Sequence, residues 1–455
     1  MNSYQASASS VSNVDERIRM KSYNHLFEEF NSKENVRKAI HTSSKGKRMR
    51  RDVQRYLDAG PDVIQNVQAY ARSFRNKPHE PVEIYDGIKR KKRKIIVPRY
   101  SEQIIHHMAV AVLQPIFERG MYEHSYASIP GRGAHKGKRH IEKWIRHDPK
   151  NCKYILKMDI HKFFDSIPHD ILLKKLKAII HDERFFAILE EIISVTDEGL
   201  PLGFYTSQWL ANWYLQSLDH YIKEELHAAH YVRYMDDMVV FGSNKRKLHK
   251  IREDIDDYLR RELGLRLKEN WQVYRFDYTD RNGKQRGRDL DYMGFRFYRN
   301  RTTIRRSIML KATRKAKRVA AKSKPTIYDI RQTLSYMGWI SCTDTYQMFK
   351  ERIASHVNVK KFKRRVSQYD RRKGEKMEWY KAQSLEKPGE TDTASSSVYN
   401  YARRNIEEEI VQEEDGTEHT VYDYEECKIS KESWPLYTQL IEQRADIDYL
   451  TMITE

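Results

Sequence analysis

Two adjacent carboxylates lie in the middle of segment 231–241, which reads YVRYMDDMVVF. The residues on either side of Asp236 and Asp237 are apolar and β-forming, so the pair is predicted at the tip of a β-hairpin. Two acids against a buried sheet are costly unless a cation compensates them, and hard oxygen ligands on a rigid turn suit Mg²⁺. For the pair taken alone, a solvated hairpin tip rich in turn-forming aspartate is an equal alternative.

A third acid favours the metal interpretation. Segment 154–167, YILKMDIHKFFDSI, reads as a strand that ends at Asp159, followed by a turn and a helix that begins at Pro168. The chain between Asp159 and Asp236 is long enough for a helical connection, so the two strands can be neighbours. Two metal ions about 4 Å apart, held by such carboxylates, are the usual arrangement for in-line phosphoryl transfer. The three acids therefore predict a nucleotidyl-transfer site.

Four motifs occur in the order found in reverse transcriptases. They are Asp159 with Phe163 and Phe164, the run GLPLGFYTSQ at 199–208, the YMDD box at 234–237 and YMGF at 292–295. On these motifs the chain resembles a bacterial reverse transcriptase of the group II intron and retron superfamily. The resemblance extends over residues 20–375 and implies an α+β right-hand polymerase fold, with fingers, a palm whose antiparallel sheet packs on helices, and a helical thumb.

The resemblance and the composition together divide the chain into five parts. We expect a disordered N-terminus at 1–14, fingers and N-terminal helices at 15–150, the palm with the catalytic site at 151–300, a helical thumb at 301–376 and an acidic C-terminal extension of unknown role at 377–455. Apolar residues at helical spacing predict a helix after the catalytic hairpin, capped by Gly264. Asp415-Gly416 predicts a small hairpin within the extension.

The resemblance also implies roles for individual residues. Asp159, Asp236, Asp237 and the backbone carbonyl of Ile160 would hold two Mg²⁺ ions, for which Mn²⁺ could substitute. The residues implied in nucleotide binding are Arg93, Lys94, Arg99, Phe164, Leu202, Gly203 and Gln208. Those implied in primer or template binding are Arg132, Tyr292, Met293 and Gly294.

Several of these assignments have a purely structural alternative. The basic segment 87–98 predicts a hairpin whose second strand continues to Arg99, and it could be a solvated turn or a nonspecific RNA patch. The Gly-Arg-Gly loop at 131–133 could approach a phosphate or be only a turn, and 292–294 could be an ordinary hairpin. Phe164 would exclude a 2′ hydroxyl by its spacing from Asp159, whereas one of Phe163 and Phe164 is expected in the core.

The run 199–208 separates this chain from retroviral enzymes. Those enzymes have Gln and Pro where this chain has Leu202 and Gln208. The pattern here resembles the reverse transcriptases of diversity-generating retroelements, as do the segments 267–274 and 291–297. Since Leu202 can fill space but cannot hydrogen-bond, we expect error-prone copying.

Composition agrees with a polyanion-binding protein without identifying a polymerase. The chain has 84 Lys and Arg against 64 Asp and Glu, a formal charge of +20 and a pI near 9.5, which would equally suit a ribosomal protein or an RNA chaperone. Its three cysteines are far apart and indicate neither a zinc site nor a disulfide framework. We expect no signal peptide, no membrane span and a cytoplasmic location.

The sequence thus predicts an RNA-directed DNA polymerase that acts on an RNA template, a DNA or RNA primer and dNTPs, with an accessory protein as a further candidate partner. Membership of a diversity-generating retroelement is the first expectation for its biological role. A phage-defence or other bacterial reverse transcriptase is the alternative. From a different class, the alternative is a noncatalytic RNA-binding protein on a polymerase scaffold, which the three intact acids disfavour.

Overall fold

The structure is a computed structural model that divides into two compact units, residues 1–302 and 303–455. It describes residues 22–48, 50–60, 62–86, 91–373, 379–384, 388, 391–392, 399–412 and 418–430. The N-terminus predicted to be disordered lies outside these residues. The five-part division of the chain stays a prediction.

The first unit is built around a four-stranded antiparallel sheet in the order β4-β5-β3-β6. Its strands are β3 (Tyr154–Asp159), β4 (His230–Tyr234), β5 (Asp237–Gly242) and β6 (Gln272–Arg275). β4 and β5 are consecutive in the chain and form a hairpin, whereas β3 reaches its place beside β5 through a helical connection. The predicted strand end at Asp159 and the predicted neighbouring strands are confirmed.

Helices pack around this sheet and form most of the remainder of the first unit. In chain order they are α1 (Leu26–Phe30), α2 (Lys33–Ser44), α3 (Arg51–Leu57), α4 (Asp62–Arg72), α5 (Tyr100–Glu118), α6 (Ala134–His147), α7 (His169–Lys177), α8 (Glu183–Ile193), α9 (Tyr205–Tyr214), α10 (Gln216–His220) and α11 (Lys245–Glu262). A two-stranded ribbon, β1 (Val82–Asp86) with β2 (Lys91–Ile95), precedes α5. One continuous apolar core joins these helices, apart from α6, to the sheet, which confirms the α+β class.

The helix after the acidic hairpin, α11, forms as its apolar spacing predicts. Ile251, Ile255 and Leu259 are buried on the face that meets the sheet. Gly264 has φ +59°, a left-handed conformation that glycine adopts at little cost, and the N–H of Leu265 donates to the carbonyl of Leu259 at 2.9 Å. The predicted C-cap is therefore confirmed.

Short strands complete the first unit. They are β7 (Tyr278–Thr279), β8 (Gln285–Arg286), β9 (Leu290–Tyr292) and β10 (Phe295–Phe297). β9 and β10 form a tight hairpin with Tyr292 opposite Phe295. A further strand, β11 (Thr302–Ile304), lies at the boundary between the two units.

The second unit begins with helices. They are α12 (Arg306–Ala320), α13 (Ile327–Leu334), α14 (Met337–Ser341), α15 (Tyr346–Phe349) and α16 (Val359–Lys373). Thr326 caps α13, since its hydroxyl accepts from the N–H of Asp329 at 3.1 Å. In return, the Asp329 carboxylate accepts from the N–H of Thr326 at 3.3 Å. A small apolar cluster that includes Met309, Ile340 and Ile353 holds the helices together.

The C-terminal segment is a second antiparallel sheet in the order β12-β15-β14-β13. Its strands are β12 (Trp379–Ser384), β13 (Thr391–Asp392), β14 (Tyr399–Gln412) and β15 (Glu418–Ser430). The predicted hairpin is present as β14 and β15, although it is much longer than expected, and its tip at Asp415-Gly416 lies outside the described residues. No helix in the described part of the chain is both long and apolar enough to cross a membrane.

Candidate active site

The sheet brings the three predicted acids together at one end of neighbouring strands. Asp159 is the last residue of β3 and lies opposite Asp237, the first residue of β5. Met235 and Asp236 form the two-residue turn between β4 and β5, and Met235 takes a left-handed φ of 58°. The N–H of Ile160 donates to the carbonyl of Asp236 at 3.3 Å, so the turn is tied to the end of β3.

Asp236 is costly to ionise because it is buried beside Asp159. Burial first, then the hydrogen bond and charge of Asp159, raise the pKa of Asp236 to about 7. Two lysines supply compensating charge: Lys268 Nζ lies 2.5 Å from Asp159 Oδ2, and Lys157 Nζ lies 3.6 Å from Asp237 Oδ2. Sequence reasoning missed both lysines, because their partners are distant in the chain or on another strand.

The donor set fits a hard divalent cation chemically. Within the described residues, the buried Oδ1 of Asp159 has no hydrogen-bond partner, and burial together with the neighbouring Asp159 raises the pKa of Asp236. In the same part of the chain, no group of three or more His, Cys, Asp or Glu side chains is already arranged to hold a metal. The carboxylates would therefore have to leave their lysine partners to share an ion. The carbonyl of Ile160 as a ligand stays a prediction.

A buried ion pair lies next to the turn of the acidic hairpin, and sequence reasoning missed it. Arg233, one residue before Tyr234, is fully buried and paired with Asp219 of α10, with Nη2 2.6 Å from Asp219 Oδ2. The hydroxyl of Tyr231 also donates to Asp219, at 2.8 Å. The only available signal was an arginine within an otherwise apolar strand.

The second predicted turn lies against the same strands. Met293 and Gly294 have φ of 48° and 88°, which confirms a tight turn between β9 and β10. The buried Tyr292 donates its hydroxyl proton to the carbonyl of Asp237 at 2.8 Å, and Lys157 Nζ lies 5.6 Å from the centre of its ring. The structure thus brings this turn to the acidic site, while its contact with a primer stays a prediction.

The two phenylalanines after Asp159 differ in burial. Phe163 belongs to the core, whereas Phe164 is half-buried, with the ring centres 5.4 Å apart. The carbonyl of Phe164 accepts from the N–H of Leu200 at 2.6 Å, and Gly199, with φ +76°, packs against the same backbone. The segment that begins the 199–208 run is therefore fixed directly on Phe164.

The middle of that run is attached to the basic ribbon. The carbonyl of Leu202 accepts from the N–H of Ile96 at 2.8 Å, while the Leu202 side chain is only half-buried. Gly203 has φ +113°, and a Cβ there would collide with the carbonyl oxygen of Ile96. Gln208 is exposed on the first turn of α9. Nucleotide contacts by Leu202, Gly203 and Gln208 stay predictions.

The basic ribbon forms, but the predicted extension of its second strand is wrong. Arg93 and Lys94 lie on β2 opposite Ile84 and Glu83. β2 ends at Ile95 because the chain then turns to bond with Leu202, so Arg99 is not on the strand. Arg99 instead precedes the first turn of α5, where its N–H donates to the Glu102 carboxylate at 2.7 Å.

The loop at 131–133 uses its arginine internally. Nη1 of Arg132 donates to the carbonyl of Tyr122 at 2.6 Å, so this nitrogen holds the loop to its own backbone. Gly131 has φ +66°, as a turn requires. Among the hydrogen bonds of the described residues, none joins Arg132 to the three acids. The contact of Arg132 with a primer or template stays a prediction.

An antiparallel sheet with an acidic hairpin opposite a third strand-end acid is the arrangement of a nucleotidyl-transferring polymerase palm. Residues 77–297 match the family model described as reverse transcriptase (RNA-dependent DNA polymerase). This segment is therefore a reverse transcriptase domain, which confirms the kind of polymerase indicated by the motifs and the predicted fold class.

Three curated relatives show the breadth of this similarity. The chain is 25% identical over 225 residues to the retron Ec73 reverse transcriptase of Escherichia coli, covering 46% of this chain and 68% of that one. It is 28% identical over 177 residues to an uncharacterized 91 kDa protein in the cob intron of Schizosaccharomyces pombe, covering 37% and 21%. It is 24% identical over 143 residues to the group II intron-encoded protein LtrA of Lactococcus lactis subsp. cremoris, covering 29% and 23%. The chain thus spans less than a quarter of either intron protein.

Proposed function

We propose that this protein is an RNA-directed DNA polymerase that synthesises cDNA on an RNA template from a DNA or RNA primer. The observation that carries the proposal is the convergence of Asp159, Asp236 and Asp237 at one end of the sheet, within a domain of the reverse transcriptase family. The 3′ hydroxyl of the primer would attack the α-phosphate of a dNTP, forming the new P–O bond as pyrophosphate leaves.

Asp159 and Asp236 would hold the metal ions of this reaction, and Asp237 would complete the acidic cluster. Two Mg²⁺ ions, when bound, supply Lewis-acid activation of the 3′ hydroxyl and charge neutralisation at the triphosphate. The chain itself supplies the position of the acids, through β3 and the β4–β5 turn. In the absence of a metal ion, the ammonium group of Lys268 neutralises the charge of the Asp159 carboxylate, a role that a bound cation would replace.

Replacement of Asp236 tests the chemistry. Asp236→Asn keeps the size of the side chain but removes a charge, so Mg²⁺-dependent dNTP incorporation should fall by about two orders of magnitude or more while RNA binding persists. Primer extension on an RNA template measures the first and filter binding the second. The exposed Asp170→Asn on α7 is the matched control and should extend primers normally. Normal extension by Asp236→Asn would rule out its role as a metal ligand.

We further propose that the enzyme copies RNA with low fidelity, as in a diversity-generating retroelement. The support is the residue pattern at Leu202 and Gln208 together with the resemblance of segments 267–274 and 291–297, since the relatives described above are retron and intron proteins. The half-buried side chain of Leu202 can fill space beside a nascent base pair but cannot fix it by hydrogen bonding. Errors should concentrate opposite template adenines if the retroelement assignment is right.

Leu202→Gln tests the fidelity mechanism. A hydrogen bond to the nascent pair should add about 1–3 kcal/mol of discrimination, so misincorporation should fall about tenfold while total synthesis changes less. Deep sequencing of cDNA measures both, with the remote, partly exposed Leu57→Gln as the matched control. Equal error rates in wild type and Leu202→Gln, with no bias by template base, would reject the mechanism and the diversification role.

A further inference from the structure

Arg233 connects three parts of the first unit through one buried guanidinium group. Its Nε donates to both oxygens of Asp219, at 2.8 and 3.0 Å, and Nη2 donates to Asp219 Oδ2 at 2.6 Å. Nη1 donates to Asn212 Oδ1 and to the carbonyl of Met235, each at 3.1 Å. The guanidinium thus joins α9, α10 and the turn that carries Asp236.

The backbone of the same residue is fixed on its other side. Its N–H donates to the carbonyl of His124 at 3.1 Å, and its carbonyl accepts from the N–H of Tyr126 at 3.0 Å. Burial disfavours the charged guanidinium, but the charge and hydrogen bonds of Asp219 more than offset this and raise the pKa of Arg233. The arginine therefore stays charged and immobile directly behind the turn.

Stability alone is a weak reason for such a pair. Two fully buried charges are expensive to desolvate, and apolar side chains of similar volume often stabilise a fold as well or better. What apolar side chains cannot provide is the bond to the carbonyl of Met235. That carbonyl shares a planar peptide group with the N–H of Asp236, so the bond fixes the orientation in which the chain enters Asp236.

The turn needs this support because its first residue is strained. Met235 is not glycine, yet it has a φ of 58°, which costs free energy unless the surroundings impose it. We propose that Arg233 and Asp219 form a positioning unit that holds the Met235–Asp236 turn, and hence the Asp236 carboxylate, in its catalytic place. This inference rests on the proposed function of Asp236 and adds residues that do not touch substrate themselves.

Arg233→Lys is the first test. An ammonium group cannot reach Asp219, Asn212 and Met235 together as the guanidinium fork does. We expect kcat to fall on the order of 100-fold, because small displacements of catalytic groups have effects of this size. KM for dNTP should change little, and the Mg²⁺ concentration for half-maximal activity should rise several-fold. Tyr214→Phe, which removes a buried 2.7 Å bond from α9 to the Leu263 carbonyl, is the matched control and should retain the wild-type Mg²⁺ dependence.

An apolar triple variant separates positioning from folding. Arg233→Met/Asp219→Leu/Tyr231→Phe removes both charges and the tyrosine hydroxyl that bonds Asp219, so it leaves no buried ion unpaired. We expect it to fold, by circular dichroism and thermal melting, yet to show the same loss of kcat and the same shift in Mg²⁺ dependence.

Each outcome is decisive. A folded triple variant with wild-type kcat and Mg²⁺ dependence would overturn the inference, and so would failure of both variants to fold, which would make the pair purely structural. If the wild-type protein itself showed no polymerase activity, the proposed function would fail instead. That result is distinguishable from failure of the inference, which requires an active wild-type protein and variants to compare with it.

Discussion

Lysine side chains provide the counter-charge of the acidic site in the protein alone. Lys268 is paired with Asp159 and Lys157 approaches Asp237, and the two lysine side chains are 31% and 30% exposed. Both ammonium groups lie on long flexible side chains that reach solvent, and Lys157 Nζ also donates to the carbonyl of Asp291 at 2.7 Å. Under the proposed function, an incoming metal ion would replace the charge of these lysines at the carboxylates.

Phe164 provides a residue-scale prediction on the choice of sugar. Its ring is half-buried beside the core residue Phe163, and its backbone is fixed by Leu200. Phe164→Val should open space for a 2′ hydroxyl while the backbone stays in place, and should raise rNTP incorporation relative to dNTP about tenfold or more. Single-nucleotide extension with each substrate measures the ratio.

Phe163→Leu is the control for that measurement, since it changes a ring that faces the core. It should reduce stability without changing the ratio of rNTP to dNTP incorporation. A ratio that responds to Phe163 and is indifferent to Phe164 would reverse the assignment of the two rings.

Helix α5 contains a buried histidine that makes the fold sensitive to acid. His106 is fully buried, and its Nδ1 is 2.9 Å from the hydroxyl of Thr206 on α9. Burial, followed by the nearby charges of His107 and His79, lowers the pKa of His106 to about 3. The ring is therefore neutral in the folded protein, whereas in the unfolded chain it binds a proton below about pH 6.5.

The sign of the pH dependence follows from these two values. The stability due to a neutral His106 is fully present above pH 6.5 and is lost as the pH falls from there toward 3, by about 1.4 kcal/mol per pH unit. We expect the free energy of unfolding to fall by on the order of 1 kcal/mol more between pH 7 and 5.5 in wild type than in His106→Gln. Urea denaturation followed by tryptophan fluorescence measures it.

The exposed His181→Gln is the matched control for this pH series and should retain the wild-type dependence. Parallel pH dependence of wild type and His106→Gln would show that His106 titrates alike in the folded and unfolded chain.

Helices, strands and turns that are determined by the pattern of neighbouring residues could be predicted from the sequence. The strand that ends at Asp159, the hairpin at Asp236 and helix α11 with its cap at Gly264 all depend on periodicity or turn residues within one segment. Arg99 was misplaced because the end of β2 is decided by a bond to Leu202, a hundred residues away in the chain. No local pattern carries that information.

Side-chain partners were the least predictable part of the site. Arg233 is a single arginine in a mainly apolar strand, and only the fold shows that Asp219 lies next to it. Likewise, Lys268 is 109 residues from Asp159 in the chain. Charge pairs of this kind depend on which elements become neighbours, and the sequence pattern of either residue is compatible with exposure.

For the whole molecule, some of the basic side chains that contribute to the net charge of +20 are paired with carboxylates inside the protein. In the second unit, Lys315 and Lys322 lie 3.1 and 2.6 Å from the carboxylate of Asp329. Hydrogen bonds from Lys322, then Lys315, hold the pKa of Asp329 below its usual range, so it remains an anion and keeps both lysines engaged. Lys315 of helix α12 and Lys322, just after the end of that helix, are thus paired within the second unit.

The attachment of Leu202 to Ile96 has a consequence for how such an enzyme can evolve. The bond uses the backbone carbonyl of Leu202, so its half-buried side chain can be exchanged without breaking it. The next residue, Gly203, has no such freedom, because any side chain would strike the carbonyl oxygen of Ile96. Adjacent positions therefore differ sharply in mutational tolerance, so under the proposed role of Leu202 selection could adjust copying accuracy there while Gly203 preserves the backbone contact.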